Sequence, residues 1–457
     1  MESVTLAEVV KATQGKEGAG LTVEALIQGV STDSRTLRAG ELFVALKGKN
    51  FDGHAYVEDA LNIGSPAAVV EKGWKPSAFR YENRLIRVGD TLKALGDLAE
   101  AYRLRFKVKV VGVTGTNGKT TTKEMIAAIL QARFQVLKTE GNLNNQIGVP
   151  LTLFRLGSRD EVGVTEFGMS APGEIARLCA IAHPSVGVIT NVGPAHLETM
   201  GTVERVADAK VEILKALDEN GSGVVNGDEP LILERCRGLR AKIVTFGFGK
   251  ECDVRPDRVF PLGNGASGFD IGKVTIRLSI PGRQNITNAL AALAVGGILD
   301  IPGDEAGKAL EGLASPKMRM EKIMIGESLV LNDSYNANPA SMSAAIDTLA
   351  EVFASRRIAV LGDMLELGPI SRDAHFDVGR KAAARGIDVL IAVGEWAKGI
   401  AEAARVSGLP RSQACATTRE AALVLKEMMK PGDAILVKGS RAMNMEAIVD
   451  ALRENGR

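Results

Sequence analysis

Cysteine is scarce and scattered. Cys179, Cys236, Cys252 and Cys415 lie far apart with no Cys-x-x-Cys spacing, which speaks against a disulfide scaffold or a structural zinc site and suits a reducing compartment. An excess of charge of either sign is also lacking: 56 Lys and Arg face 55 Asp and Glu, a formal net charge of +1. That balance gives no electrostatic reason to expect nucleic acid or an anionic membrane as a partner. No apolar run reaches the roughly 18 residues of a membrane span; the best, Ala289 to Ile298, is too short and contains Gly296 and Gly297. The opening Met1-Glu2-Ser3-Val4 stretch is acidic where an export signal is basic, so the cytoplasm is the expected location. A monomer is expected.

What is present points to an α/β protein. A chain of 457 residues has the length of roughly three domains, and 45% hydrophobic residues is ordinary for globular cores. In the middle, short apolar runs at Lys107–Val113, Val162–Phe167, Val186–Thr190, Gly223–Val225 and Ile243–Phe246 read as strands of a mostly parallel sheet. The last third repeats the rhythm, with strands at Leu329–Leu331, Ile358–Leu361, Val389–Val393 and Ala434–Val437. Helical patterns at Ser341–Phe353, Ser371–Ala384, Ala421–Met429 and Met443–Leu452 separate them, predicting a doubly wound, Rossmann-like domain. The first hundred residues read as a small α/β domain, with strands at Ile27–Val30, Leu42–Leu46 and Ala67–Val70 and a helix from Tyr56 to Asn62. The expected domains are residues 1–104, 105–316 and 317–457.

The strongest local signal is Gly112-Val113-Thr114-Gly115-Thr116-Asn117-Gly118-Lys119-Thr120-Thr121-Thr122, between a predicted strand and a predicted helix. Glycines let backbone N–H groups surround phosphate oxygens, and the helix N-terminus adds its positive dipole end. Lys119 is placed for the β- and γ-phosphates and Thr120 for Mg²⁺. The usual phosphate-loop spacing puts the first glycine at position 113, where this chain has Val113; the alternative is a glycine turn followed by a chance Gly-Lys-Thr.

With glycine at 115, this loop resembles that of the ATP-dependent Mur ligases and their folylpolyglutamate synthase relatives. Thr32-Asp33-Ser34-Arg35, Phe43 through Lys47 and Gly48, and Asp52-Gly53-His54 resemble the family's uridine-nucleotide domain. The resemblance implies that Ser34, Arg35, Lys47, Asp52 and His54 bind substrate. Asn142, Asn144 and Asn145, followed by Gly148-Val149-Pro150, resemble its loop near the muramoyl peptide. Asp333-Ser334-Tyr335-Asn336-Ala337-Asn338-Pro339 and Leu361 through Gly368 resemble members that join D-alanyl-D-alanine to UDP-N-acetylmuramoyl-tripeptide, and those two become the expected substrates. A relative that adds the third amino acid instead is the nearest alternative, but its Asp-Asn-Pro-Arg motif is absent.

Such a ligase brings two anions together, ATP and a carboxylate, and two Mg²⁺ ions are expected to bridge them. Glu166, at a predicted strand end, is placed to bind one; a solvated carboxylate is the alternative. His196 follows another strand, and the resemblance makes it a ligand of the second Mg²⁺. Lys210 by pattern is a helix-surface lysine; the resemblance implies a carbamate formed with CO₂. Asn285 and Asn288 share a helix face and are candidates for reading adenine, with helix capping by Asn285 as the alternative. Relatives often carry His where this chain has Gln284. Arg319 resembles the arginine that reaches ATP from the domain junction near Ser315–Lys317. The resemblance sets Asp333 near the phosphates, with Asn336 and Asn338 around nucleotide and substrate. Asp363 and Glu366 are candidates for the dipeptide amine, and Ser440, at a predicted helix start, for a carboxylate.

Overall fold

The computed structural model describes residues 1–48 and 50–454. Its middle sheet is built around the strand Lys109–Thr114, whose Val110, Val111 and Val113 are fully buried. Val162–Glu166 and Val186–Ile189 flank it in parallel, Val136–Lys138 lies beyond the first, and Ser222–Asn226 and Lys242–Phe246 lie beyond the second. Both faces are covered, which is why these strands read as continuous valine runs rather than alternating ones. Helices Lys119–Leu130 and Gln284–Ile298 close one face around Met125, Ile129 and Leu290, while Glu174–Ala182 and Val203–Lys215 close the other around Leu178 and Ile213. Thr114, Glu166 and Ile189 thereby end at one edge, the carboxyl edge where open α/β sheets bind ligands.

Residues 329–437 form the expected doubly wound layer, and the structure adds two edge strands to it. The order is Glu321–Ile325, Ser328–Asp333, Asp433–Lys438, Arg356–Gly362, Val389–Val393, Ser412–Cys415, with only the first strand antiparallel. A further antiparallel meander, Arg258–Gly263, Ala266–Ile271 and Val274–Leu278, has no counterpart among the expected strands. Its outer strand is largely exposed and contains Pro261, so its sequence carries a loop's signature. Gly263, Asn264 and Gly265 all take positive φ and make the turn.

The first domain holds a five-stranded sheet in which Gly29–Ser31, Glu41–Val44, Ala68–Glu71 and Leu85–Val88 run parallel and Lys16–Glu17 is antiparallel at the edge. Helix Thr91–Arg103 joins it to the middle domain. The Tyr102 hydroxyl donates to the Leu156 carbonyl at 2.7 Å, and the buried Arg103 guanidinium donates to the carbonyls of Phe106, Val108 and Ala182. One apolar core runs without a break from Leu42 and Ile86 through Leu98 to Val149 and Leu178. Among the described residues no helix is long and apolar enough to cross a membrane.

Candidate active site

The glycine loop turns on two residues that need glycine. Gly115 has φ +148°, and a Cβ there would overlap the Thr190 hydroxyl; Gly118 has φ +79°, and a Cβ there would sit 2.3 Å from Asn288 Oδ1. The loop is held from the neighbouring strand end. Asn191 Oδ1 accepts from Asn117 N–H at 2.9 Å, the Thr190 hydroxyl donates to Asn117 O at 2.6 Å, and Gly193 N–H donates to the Thr116 hydroxyl at 3.1 Å. Lys119 folds its ammonium back onto the carbonyls of Gly115 and Thr116 at 2.8 and 3.2 Å. Burial pulls its pKa down, Glu166 opposes that, and Arg319 adds to it.

Glu166 ends its strand fully enclosed. Oε2 accepts from the Thr120 hydroxyl at 2.7 Å and Oε1 from Asn144 Nδ2 at 2.8 Å, while its N–H donates to Thr139 Oγ1 at 3.1 Å. A hydroxyl and a carboxylate at this separation are two hard oxygen donors of the kind Mg²⁺ takes. Thr121, the next residue of that helix, is buried. His196, with φ +54°, directs Nδ1 to Glu366 Oε2 of the third domain at 2.6 Å. A carboxylate on one ring nitrogen orients an imidazole for a ligand on the other. Among the described residues no three His, Cys, Asp or Glu side chains cluster as a ready metal set.

Lys210 overturns the surface reading of its pattern. It lies 3% exposed in helix Val203–Lys215, and its pKa is driven far down, first by burial and then by the nearby Lys119 cation.

The third domain meets the loop directly. Asn117 and Asn338 exchange amide hydrogen bonds at 3.2 and 2.7 Å, while Asn338 also caps helix Pro339–Ala350 by accepting from Ser341 N–H. Arg319 stacks over the Tyr335 ring at 4.0 Å between Met318 and Met320, both in the left-handed region. Asp333 pairs with the buried Lys438 ammonium at 2.6 Å and accepts from Met320 N–H; Lys438 also donates to Asn336 O, leaving the Asn336 side chain at the surface.

Several candidates sit elsewhere than expected. His54 is buried: Glu71 N–H donates to Nε2, so Nδ1 carries the proton and donates to Asp52 at 2.6 Å, and both ring nitrogens are occupied. Asn285 and Asn288 share a face as expected, but their amides are buried: Asn285 donates to Pro281 O, and Asn288 bonds Asn285 and Thr122. These bonds hold the two amides against the helix that follows the phosphate loop, and the helix that carries them is not capped by Asn285. Asn145 Oδ1 accepts from the N–H groups of Ile147 and Gly148, where helix Gly148–Leu153 begins, and Asn142 is exposed. Asp363 accepts from the N–H groups of Glu395 and Trp396. The Ser440 hydroxyl accepts from Leu365 N–H, ahead of a helical turn only three residues long, so it is a tie between two loops and no helix-dipole site. In the first domain Ser34 and Arg35 line an open hollow of about 470 Å³ with Asp59, Asn62 and Ile63, Arg35 held by Asp33 and Lys47 exposed nearby on the chain.

Arg319 and Asn338 of the third domain thus stand close to a glycine loop of the phosphate-binding form, the arrangement of a multidomain P-loop enzyme. Three family descriptions match in succession: "Mur ligase family, catalytic domain" over residues 26–103, "Mur ligase middle domain" over 113–296, and "Mur ligase, glutamate ligase domain" over 318–441. The UDP-N-acetylmuramoyl-tripeptide--D-alanyl-D-alanine ligase of Bacillus subtilis is 39% identical over 98% of both chains. A crystal structure of MurF from Acinetobacter baumannii superposes with a TM-score of 0.91 at 32% identity over 99% of both chains. MurF ligase from Thermotoga maritima, solved in complex with ADP, gives 0.83 at 30% identity over 94% of this chain and 97% of that one. The chain belongs to the Mur ligase family.

Proposed function

We propose that this protein uses ATP to join D-alanyl-D-alanine to UDP-N-acetylmuramoyl-tripeptide, releasing ADP and phosphate. The observation that carries the reading is the contact between the phosphate loop and the third domain, Asn117 with Asn338, beside Arg319 and the enclosed Thr120–Glu166 pair. The three expected domains, residues 1–104, 105–316 and 317–457, divide the work among uridine nucleotide, ATP and dipeptide. ATP phosphorylates the tripeptide's terminal carboxylate, and the dipeptide amine displaces phosphate from the acyl phosphate. No protein nucleophile is needed.

Lys119 and the loop N–H groups hold the β- and γ-phosphates, and Arg319 offers a guanidinium to the transferring group. Thr120 and Glu166 are the donors that fit Mg²⁺, and His196, oriented by Glu366, is assigned to a second ion. Bound there, Mg²⁺ supplies positive charge that lets phosphate and carboxylate approach. Lys210 is the candidate carbamate: CO₂ reacts with a neutral amine, and burial beside Lys119 is what keeps an amine neutral. We assign the reaction to the cytoplasm, where the four cysteines stay free, and to a monomer.

The test is ADP release with UDP-muramoyl-tripeptide and with its dipeptide precursor, each against D-alanyl-D-alanine and single amino acids. Turnover restricted to tripeptide plus D-alanyl-D-alanine is expected. Turnover with the precursor and a single amino acid instead would make this the preceding ligase of the pathway.

A further inference from the structure

Lys123 is a buried cation that the reaction as described does not use. It lies 1% exposed in helix Lys119–Leu130, three residues past Thr120 and so on the same helix face. Its ammonium donates to Thr139 O at 2.6 Å and pairs with Glu124 at 2.7 Å. Burying an ammonium costs several kcal/mol even when paired, and an apolar side chain would fill such a space at lower cost. The charge is therefore expected to do something besides packing.

Thr139 shows what that is. It follows the edge strand Val136–Lys138 and is itself fully buried. Its N–H donates to Val164 O at 3.0 Å and its hydroxyl accepts from Glu166 N–H at 3.1 Å. The bonds close a ring: Lys123 to Thr139, Thr139 to Glu166, Glu166 to Thr120, and one helical turn back to Lys123. Thr139 also roots the loop that carries Asn144, the second group on the Glu166 carboxylate.

We propose that Lys123 is a positioning residue that locks the Thr120 hydroxyl and Glu166 carboxylate into one divalent-cation site by clamping Thr139. It touches neither nucleotide nor metal. The inference rests on the reading of Thr120 and Glu166 as ligands, and the experiment separates the two.

Lys123→Met keeps the side-chain volume and removes the clamp; Thr139→Val removes the hydroxyl and keeps the cation. Mn²⁺ binding, read by electron paramagnetic resonance on protein loaded with a non-hydrolysable ATP analogue, reports the site without turnover. Each variant should weaken Mn²⁺ binding by about tenfold or more, the usual effect of losing a partner of a metal ligand. The double variant should lose less than the product of the two, because both cut one ring. Metal-free binding of the analogue and the KM for D-alanyl-D-alanine should stay near wild type. Glu166→Gln is the control. If it binds Mn²⁺ like wild type, the ligand assignment falls and this inference with it. If Glu166→Gln loses Mn²⁺ while Lys123→Met and Thr139→Val keep wild-type binding, the ligand assignment stands and the clamp is refuted. Should Lys123→Met fail to fold, Lys123→Gln, which also removes the ammonium, is read in its place with the same two outcomes.

Discussion

Replacing Lys210 by methionine separates two demands made on one position. The amine is enclosed, and its charged form is disfavoured first by burial and then by Lys119. Methionine matches its length without an ionisable amine, so the cost of keeping that amine uncharged below its ordinary pKa disappears. The sign with pH follows from the lowered pKa. Between the folded value and the ordinary value of 10.5, the unfolded chain binds more protons, so wild-type stability climbs with pH by at most about 1.4 kcal/mol per unit. The methionine variant lacks that group. Its advantage is full at and below the folded pKa and fades as pH rises toward 10.5. Turnover should move the other way, falling by about 100-fold or more, because no carbamate can form. Urea denaturation in CO₂-free buffer across mildly acidic to alkaline pH, beside ADP release with and without bicarbonate, measures both. Bicarbonate should raise activity of the wild type alone, and acetate should partly restore Lys210→Ala. A methionine or arginine variant with wild-type turnover refutes the carbamate.

Lys119→Ala should abolish ADP release while leaving the circular dichroism spectrum unchanged, since its ammonium bonds only loop carbonyls in the fold. Gly118→Ala forces a side chain into a left-handed residue and against Asn288, at about 1–2 kcal/mol for the backbone plus about 1–3 for overpacking; calorimetry should show ADP affinity falling at least tenfold, partly recovered by adding Asn288→Ala. Asn338→Ala removes a helix cap of about 1 kcal/mol and the bond to Asn117, so a lower melting temperature should accompany a lower kcat, whereas Ser341→Ala should lower only the former. Asp433→Ala strips the partner from Arg356, bonded at 2.6 and 2.9 Å, and should cost about 3–5 kcal/mol in denaturation while kcat/KM at low temperature is kept.

The parallel strands and the phosphate loop were legible because both are local patterns: a buried valine run, then glycines where the chain must turn. The helix Ser371–Ala384 matches its expected span for the same reason. Other features were not legible. Strand Ser412–Cys415 is short and half polar, and only pairing with Val389–Val393 makes it a strand. Lys210 reads as a surface residue because no spacing rule announces burial beneath another lysine. His54, Asp363 and Ser440 sit in motifs tied to binding, yet their side chains serve neighbouring backbone groups, and only coordinates distinguish a group that faces a ligand from one that holds the loop doing so. For Lys123 the one signal in the sequence is a second lysine four residues after Lys119 on the same helix, which does not distinguish a buried lysine from an exposed one.

The seam along helix Thr91–Arg103 has a consequence for how long a substrate must be. Tyr102 and Arg103 fasten the first domain to the second through buried hydrogen bonds, and no apolar gap interrupts the core between them. The hollow beside Arg35 and the phosphate loop at Lys119 are therefore joined through one continuous core, like the two jaws of a caliper. On the proposed function, a substrate anchored in the first jaw would offer its far carboxylate to the second only if its span matched, each residue of an extended chain adding or removing about 3.5 Å. Reach, as much as any side-chain contact, would then decide which peptide is activated.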